Sequence, residues 1–193
     1  VRLTAISWLG EMLALDAPVV SDVLVPRFAD VLSAVMRAAA EEDDDEAGAI
    51  KAAGSRTDAE LKRLVRQVPA VVAKLPDAAM FGVAMQQGWR AAGSAQKPQV
   101  RELALSWICL LLDVVPPERC APTNPSLVRA LLDTVRLDPL DAVVVQALAA
   151  LARVARNSNQ TEAILAGVCG LFFRDRVLLE SRGALVMRQL CVL

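Results

Sequence analysis

The sequence contains no histidine and no tyrosine, and aromatic residues make up only 4% of it. Without imidazole there is no histidine-based triad, no histidine general base and no histidine metal ligand. The four cysteines are Cys109, Cys120, Cys169 and Cys191, and no two are spaced as CxxC. That excludes the usual zinc and dithiol patterns. Three of the four sit inside apolar runs, which reads as buried, reduced thiols of a cytosolic protein. Charge of neither sign is in excess: 21 Lys+Arg against 22 Asp+Glu give a formal net charge of −1. A nucleic acid is therefore not expected as the main partner, since phosphate binding calls for a basic face. The longest apolar stretch, Leu103 to Leu112, ends at Asp113 and falls far short of the roughly 20 residues of a membrane span. No glycine-rich phosphate loop occurs. Gly167, Gly170 and Gly183 are scattered among apolar positions, and Gly183 is expected to permit close helix contact.

What the sequence has in quantity is Ala, Leu and Val, within a hydrophobic content of 55%. This composition favours closely packed helices and supplies ample core. The periodicity agrees. Val100, Leu103, Ala104, Trp107, Ile108, Leu111 and Leu112 recur at i, i+3, i+4 and i+7, with Arg101, Glu102 and Asp113 off that face. Thr57 and Glu60 form a capping box, Asn124-Pro125 places a cap before a first-turn proline, and Asn159 with Glu162 repeats the cap pattern. Ala17-Pro18, Pro116-Pro117 and Asp138-Pro139 are stops. Strand signals are missing, because Val143-Val144-Val145 lies inside an Ala/Leu run. The predicted order is helices over 1–16, 20–40, 57–75 with a kink at Pro69, 78–92, 99–115, 125–137, 141–156, 160–174 and 177–193.

Two segments match at an offset of 99 residues. VRLTAISWLGEMLALDAP (1–18) and VRELALSWICLLLDVVPP (100–117) share Val1/Val100, Arg2/Arg101, Ala5/Ala104, Ser7/Ser106, Trp8/Trp107, Leu13/Leu112 and Pro18/Pro117. Chance would supply about two such identities in this composition. HEAT units run about 40–47 residues, so the offset corresponds to two units plus an insertion. The acidic and small residues of 41–56 are the expected inserted loop. One helix pair cannot bury its apolar face alone, and stacked pairs bury it for each other. The fold class is therefore all-α, an α-solenoid of HEAT/armadillo-type antiparallel helix pairs. Residues 1–193 read as one fragment of about four pairs, cut at both ends.

The features that could carry chemistry are few. Glu41 to Glu46 is acidic but lacks the alternation and glycine of a calcium loop, and reads as a solvated turn. Trp8 and Trp107 lie on apolar faces and read as core, while Trp89 beside Arg90 has the better chance of exposure. Ser181 has no base beside it. Arg174, Arg176, Arg182 and Arg188 with Glu180 form a basic cluster that suits either an acidic partner or ion pairing between repeats. No cofactor and no metal is expected, nor a catalytic role for the chain itself.

FFRDRVLLESRGALVMRQLCVL (172–193) resembles the signature stretch of the vacuole-morphology scaffold that organises the PIKfyve-type phosphoinositide kinase, of the form R-x-LLE-x-RG-x-x-x-x-RQLC-x-L. The matching residues are Arg176, Leu178-Leu179-Glu180, Arg182-Gly183, Arg188-Gln189-Leu190-Cys191 and Leu193. Arg2, Leu3, Ala5, Trp8 and Glu11 are similar to that family's R-L-x-A-x-x-W-I-x-E helix, and the helix from Val23 to Ala38 with its LSAVM (32–36), then those at 100–117 and 141–155, follow in the same order. Residues 40–56 and 77–98 give no anchor, aromatics before the signature are thin, and alanine is unusually abundant. The resemblance implies a non-catalytic, self-associating cytoplasmic HEAT scaffold, peripheral on endosomal, lysosomal or vacuolar membranes. It implies two partners, the PIKfyve-type lipid kinase that makes phosphatidylinositol 3,5-bisphosphate and the Sac-type phosphatase that removes the 5-phosphate. Arg176, Glu180, Arg182 and Arg188 are the candidate partner-binding residues. A generic HEAT or armadillo adaptor, or a helical regulatory segment of a larger enzyme, shares the fold and stays open.

Overall fold

The computed structural model describes residues 1–14, 22–41, 45–74, 98–116, 125–158 and 161–192. Among the described residues all regular structure is helical, as the periodicity requires: nine α-helices and one 3-10 turn. The chain divides into two compact units, Val1–Gly88 and Trp89–Leu193.

The first unit contains α1 (Arg2–Leu13), a 3-10 turn at Val25–Arg27, α2 (Phe28–Ala39), α3 (Asp45–Gln67) and α4 (Pro69–Lys74). In α2, Phe28, Leu32, Val35, Met36 and Ala39 are buried at i, i+4, i+7, i+8 and i+11, a single apolar stripe. Helix α3 packs against both α1 and α2 and contributes Ala53, Leu61, Leu64 and Val65 to the core. The chain breaks at Val68, because Pro69 has no N–H to continue the ladder and sits instead at the first position of α4.

One expectation is overturned here. Residues 45–56, read as an inserted loop, are the first half of α3, so Thr57 and Glu60 lie inside a helix and form no capping box. Thr57 is buried; its Oγ1 donates to the Ala53 carbonyl at 2.9 Å and lies 3.4 Å from the Ile6 carbonyl of α1. Gly54, one of the small residues that resembled a loop, is a contact residue. A Cβ added at Gly54 would lie 2.5 Å from the Ala39 nitrogen and 2.7 Å from the Ala38 carbonyl carbon. Glycine costs about 1 kcal/mol of helix propensity against alanine. Here it lets α3 touch the backbone of α2.

The second unit contains α5 (Pro98–Val114), α6 (Pro125–Leu137), α7 (Asp141–Ser158), α8 (Thr161–Arg174) and α9 (Arg176–Val192). The predicted boundaries of these five agree to within two residues. Helix α7 packs against α5 and α6 and also meets α8 and α9. Its Val143, Val144, Ala147, Leu148, Ala150, Leu151 and Val154 are all buried, which makes it the central helix of the unit. The order of the first unit recurs: a third helix packs on each of the two before it. The predicted helix at 78–92, Trp89, the remainder of the acidic run at 42–44 and the caps at Asn124 and Asn159 lie outside the described residues.

Two side chains depart from expectation. Trp8 is 70% exposed, whereas Trp107 is fully buried. In α1 the buried residues are Ile6 and Leu13. Trp8 lies two residues from Ile6, about 200° around the helix and so on the opposite side. Gly183 does not admit a neighbouring helix: an added Cβ there would meet Leu179 of its own helix at 2.9 Å.

Candidate functional site

The four candidate residues lie on α9, whose start is set by Asp175. The Asp175 carboxylate accepts the Leu178 N–H at 3.0 Å, a capping bond that satisfies a free first-turn donor. Helical geometry at about 100° per residue places Glu180 about 40° and Arg188 about 120° from Arg176, while Arg182 lies about 240° away. The structure separates them accordingly. Arg176, Glu180 and Arg188 are exposed, on a surface that also carries exposed Val177 and Met187. Arg182 turns inward.

Arg182 reaches the turn between α6 and α7. Its guanidinium donates to the Asp138 and Pro139 carbonyls, the latter at 2.7 Å, and pairs with the Asp141 carboxylate at 3.1 Å. The Asp138 carboxylate is engaged by a different guanidinium: Arg101 of α5 donates from Nε at 2.6 Å and from Nη2 at 3.2 Å. The same carboxylate accepts the Leu140 N–H at 3.0 Å. Bidentate pairing of this kind is among the stronger polar contacts a protein makes. The basic cluster of the sequence is therefore two things: exposed charge on α9, and one arginine committed to structure. Sequence reasoning placed Arg101 only as a charge off the apolar face and Asp138 only as a turn residue. Its one clue was the repeat of Arg2 as Arg101.

A second polar set ties α5 to α7. Arg153 Nε donates to Asp113 at 2.9 Å and its Nη1 to the Ala149 carbonyl at 3.1 Å, with Arg156 3.5 Å from Asp113. Burial alone would lower the Arg153 guanidinium, but the bond to Asp113 and the charges of Cys109 and Asp113 hold it above its ordinary value. Cys109 lies beside this pair, with Sγ 3.9 Å from the Gln146 carbonyl. Burial pushes its thiol up; Arg153 pulls it down and Asp113 pushes it up again, with a net rise. A thiol kept protonated at neutral pH is a poor nucleophile. Ser181 Oγ donates to the Val177 carbonyl of its own helix at 2.6 Å. Among the described residues no three Cys, Asp or Glu side chains converge as a metal site would need, and no helix is long and apolar enough to cross a membrane.

The chain is similar to a VAC14 protein from end to end. Over 195 residues it is 30% identical to the "Protein VAC14 homolog" of Arabidopsis thaliana, an alignment that takes in the whole of this chain. The chain spans 23% of that protein's length. No family model and no solved structure matches.

Proposed function

We propose that this chain is a segment of a VAC14-type scaffold, a non-catalytic helical array that gathers a PIKfyve-type lipid kinase and a Sac-type phosphoinositide phosphatase at endosomal, lysosomal or vacuolar membranes. The observation that carries the reading is the similarity to the VAC14 homolog along the whole chain. The helical pairs supply a compatible architecture, since stacked hairpins leave long surfaces rather than pockets. The mechanism is assembly. Holding two enzymes on one array raises their effective concentration to about the millimolar range where geometry permits, and the chemistry stays with them. Self-association and membrane attachment through the partners belong to the same proposal.

Within it, Arg176 and Arg188, with Glu180 beside them, are the partner-facing residues. Arg182 is left out of the contact set because its guanidinium is spent on the Asp138 turn. The test is co-purification of tagged full chain with the two enzymes. Both should be retained by the unmodified chain, and the double charge reversal Arg176→Glu with Arg188→Glu should weaken phosphatase retention while helicity holds. Retention of neither enzyme by the unmodified chain overturns the scaffold reading. Undiminished retention by the double variant removes these arginines from the contact set.

A further inference from the structure

Helix α9 is held to its unit by a polar clamp as well as by apolar contacts. Among its described side chains the buried apolar ones are Leu178 and Val186, while Val177, Leu179 and Met187 are exposed. Helix α7, by contrast, buries eight. Helix α9 also has Arg182, which spans 41 to 44 residues of sequence to take two main-chain carbonyls and a carboxylate on the Asp138–Asp141 turn. Those two carbonyls belong to peptide units whose orientation is held by the Asp138 side chain, through its bond to the Leu140 N–H. The Asp138 side chain is in turn held by the two donors of Arg101. A chain of contacts thus runs from α5 to α9: Arg101 fixes the carboxylate, the carboxylate shapes the turn, and the turn presents its carbonyls to Arg182.

We propose that α9 is a latch helix, docked and released as a unit, and that the Asp138 turn is its catch. Among the described side chains little oil holds α9 in place, so losing the Arg182 clamp opens it while α5, α6 and α7 stay closed. Segments with few buried apolar contacts open at lower free energy than the core that carries them. Arg101 is a positioning residue in this device. It acts on α9 through Asp138, and its removal loosens that helix.

Hydrogen exchange of the full chain, read peptide by peptide, tests this. Arg182→Met should accelerate exchange across α9 by about tenfold or more, the loss of roughly one buried charge-assisted clamp, and leave α7 unchanged. Arg101→Met should accelerate α9 as well. The double variant should be no faster in α9 than the more affected single variant, because both act on one catch. Raised salt should speed α9 in the unmodified chain and have no effect on it in Arg182→Met. Where Arg101→Met loses overall helicity, Asp141→Asn takes its place, since it removes one member of the clamp without touching Asp138. The proposal is overturned by unchanged α9 exchange in Arg182→Met, by α7 and α9 opening together in that variant, or by additive effects in the double variant.

Discussion

Trp8 and Trp107 occupy one place in two copies of the same motif and meet opposite surroundings, 70% exposed in the first unit and fully buried in the second. The arginines six residues before them repeat the contrast. Arg2 lies 3.6 Å from Glu41, with side chains 82% and 32% exposed. Arg101 makes its two-pronged contact to Asp138 with side chains 16% and 6% exposed. Each arginine finds the acidic residue just after the second helix of its unit, so the repeat preserves who pairs with whom. It does not preserve how deeply the pair is buried. The strength of an ion pair follows from that depth, because water screens the first and is excluded from the second. The difference teaches that a repeated sequence sets local geometry while neighbours set energy.

The sharpest way to break this comparison is to truncate both tryptophans. Trp107→Ala should destabilise by about 4 kcal/mol, from lost burial and the cavity left behind. Trp8→Ala should stay within about 0.5 kcal/mol. Urea unfolding followed by circular dichroism reads both, and equal shifts would dismiss the contrast. The arginines come next. Arg101→Met should lose about 3 kcal/mol by stranding a buried carboxylate, against under about 0.5 kcal/mol for Arg2→Met. Thermal unfolding at low and high salt separates them, the exposed pair being the one that salt weakens.

A smaller effect sharpens the picture of the first unit. Gly54→Ala puts a methyl against the α2 backbone and should destabilise by about 2 kcal/mol. Gly48→Ala in the same helix meets nothing within 4 Å and should stabilise by about 0.5–1 kcal/mol. Opposite signs from one substitution in one helix would separate packing from propensity. The smallest effect is electrostatic. Cys109 should be alkylated only as pH rises above the ordinary thiol range; Arg153→Met should push that onset higher and Asp113→Asn lower, following the charges beside the sulfur. The sign for stability follows. The folded thiol holds its proton to higher pH than the unfolded one, so this contribution is intact at neutral pH and is lost as pH climbs through the raised value.

Most helices were legible because burial on one side imprints a 3.6-residue period, and Val100 to Leu112 or Leu127 to Val135 carry it plainly. The first half of α3 was not, since the acidic run, Gly48 and Gly54 imitate a loop. The reason for Gly54 is a contact with Ala38 and Ala39, which no local window contains. The candidate site was legible only in part. Arg176, Glu180 and Arg188 are exposed on α9, but the commitment of Arg182 to a turn more than 40 residues away leaves no trace in spacing along one helix.

The amino-acid order by itself determined the helical state, nearly all helix boundaries of the second unit and the identity of the repeated motif, because propensity, capping and hydrophobic period act within a few residues. Only the tertiary structure decided which tryptophan is covered, which arginine is locked, and that a glycine-bearing acidic stretch is a helix. Those outcomes depend on what stands across the gap from each side chain. Desolvation and close packing are properties of pairs of elements, and a single element carries no record of its partner.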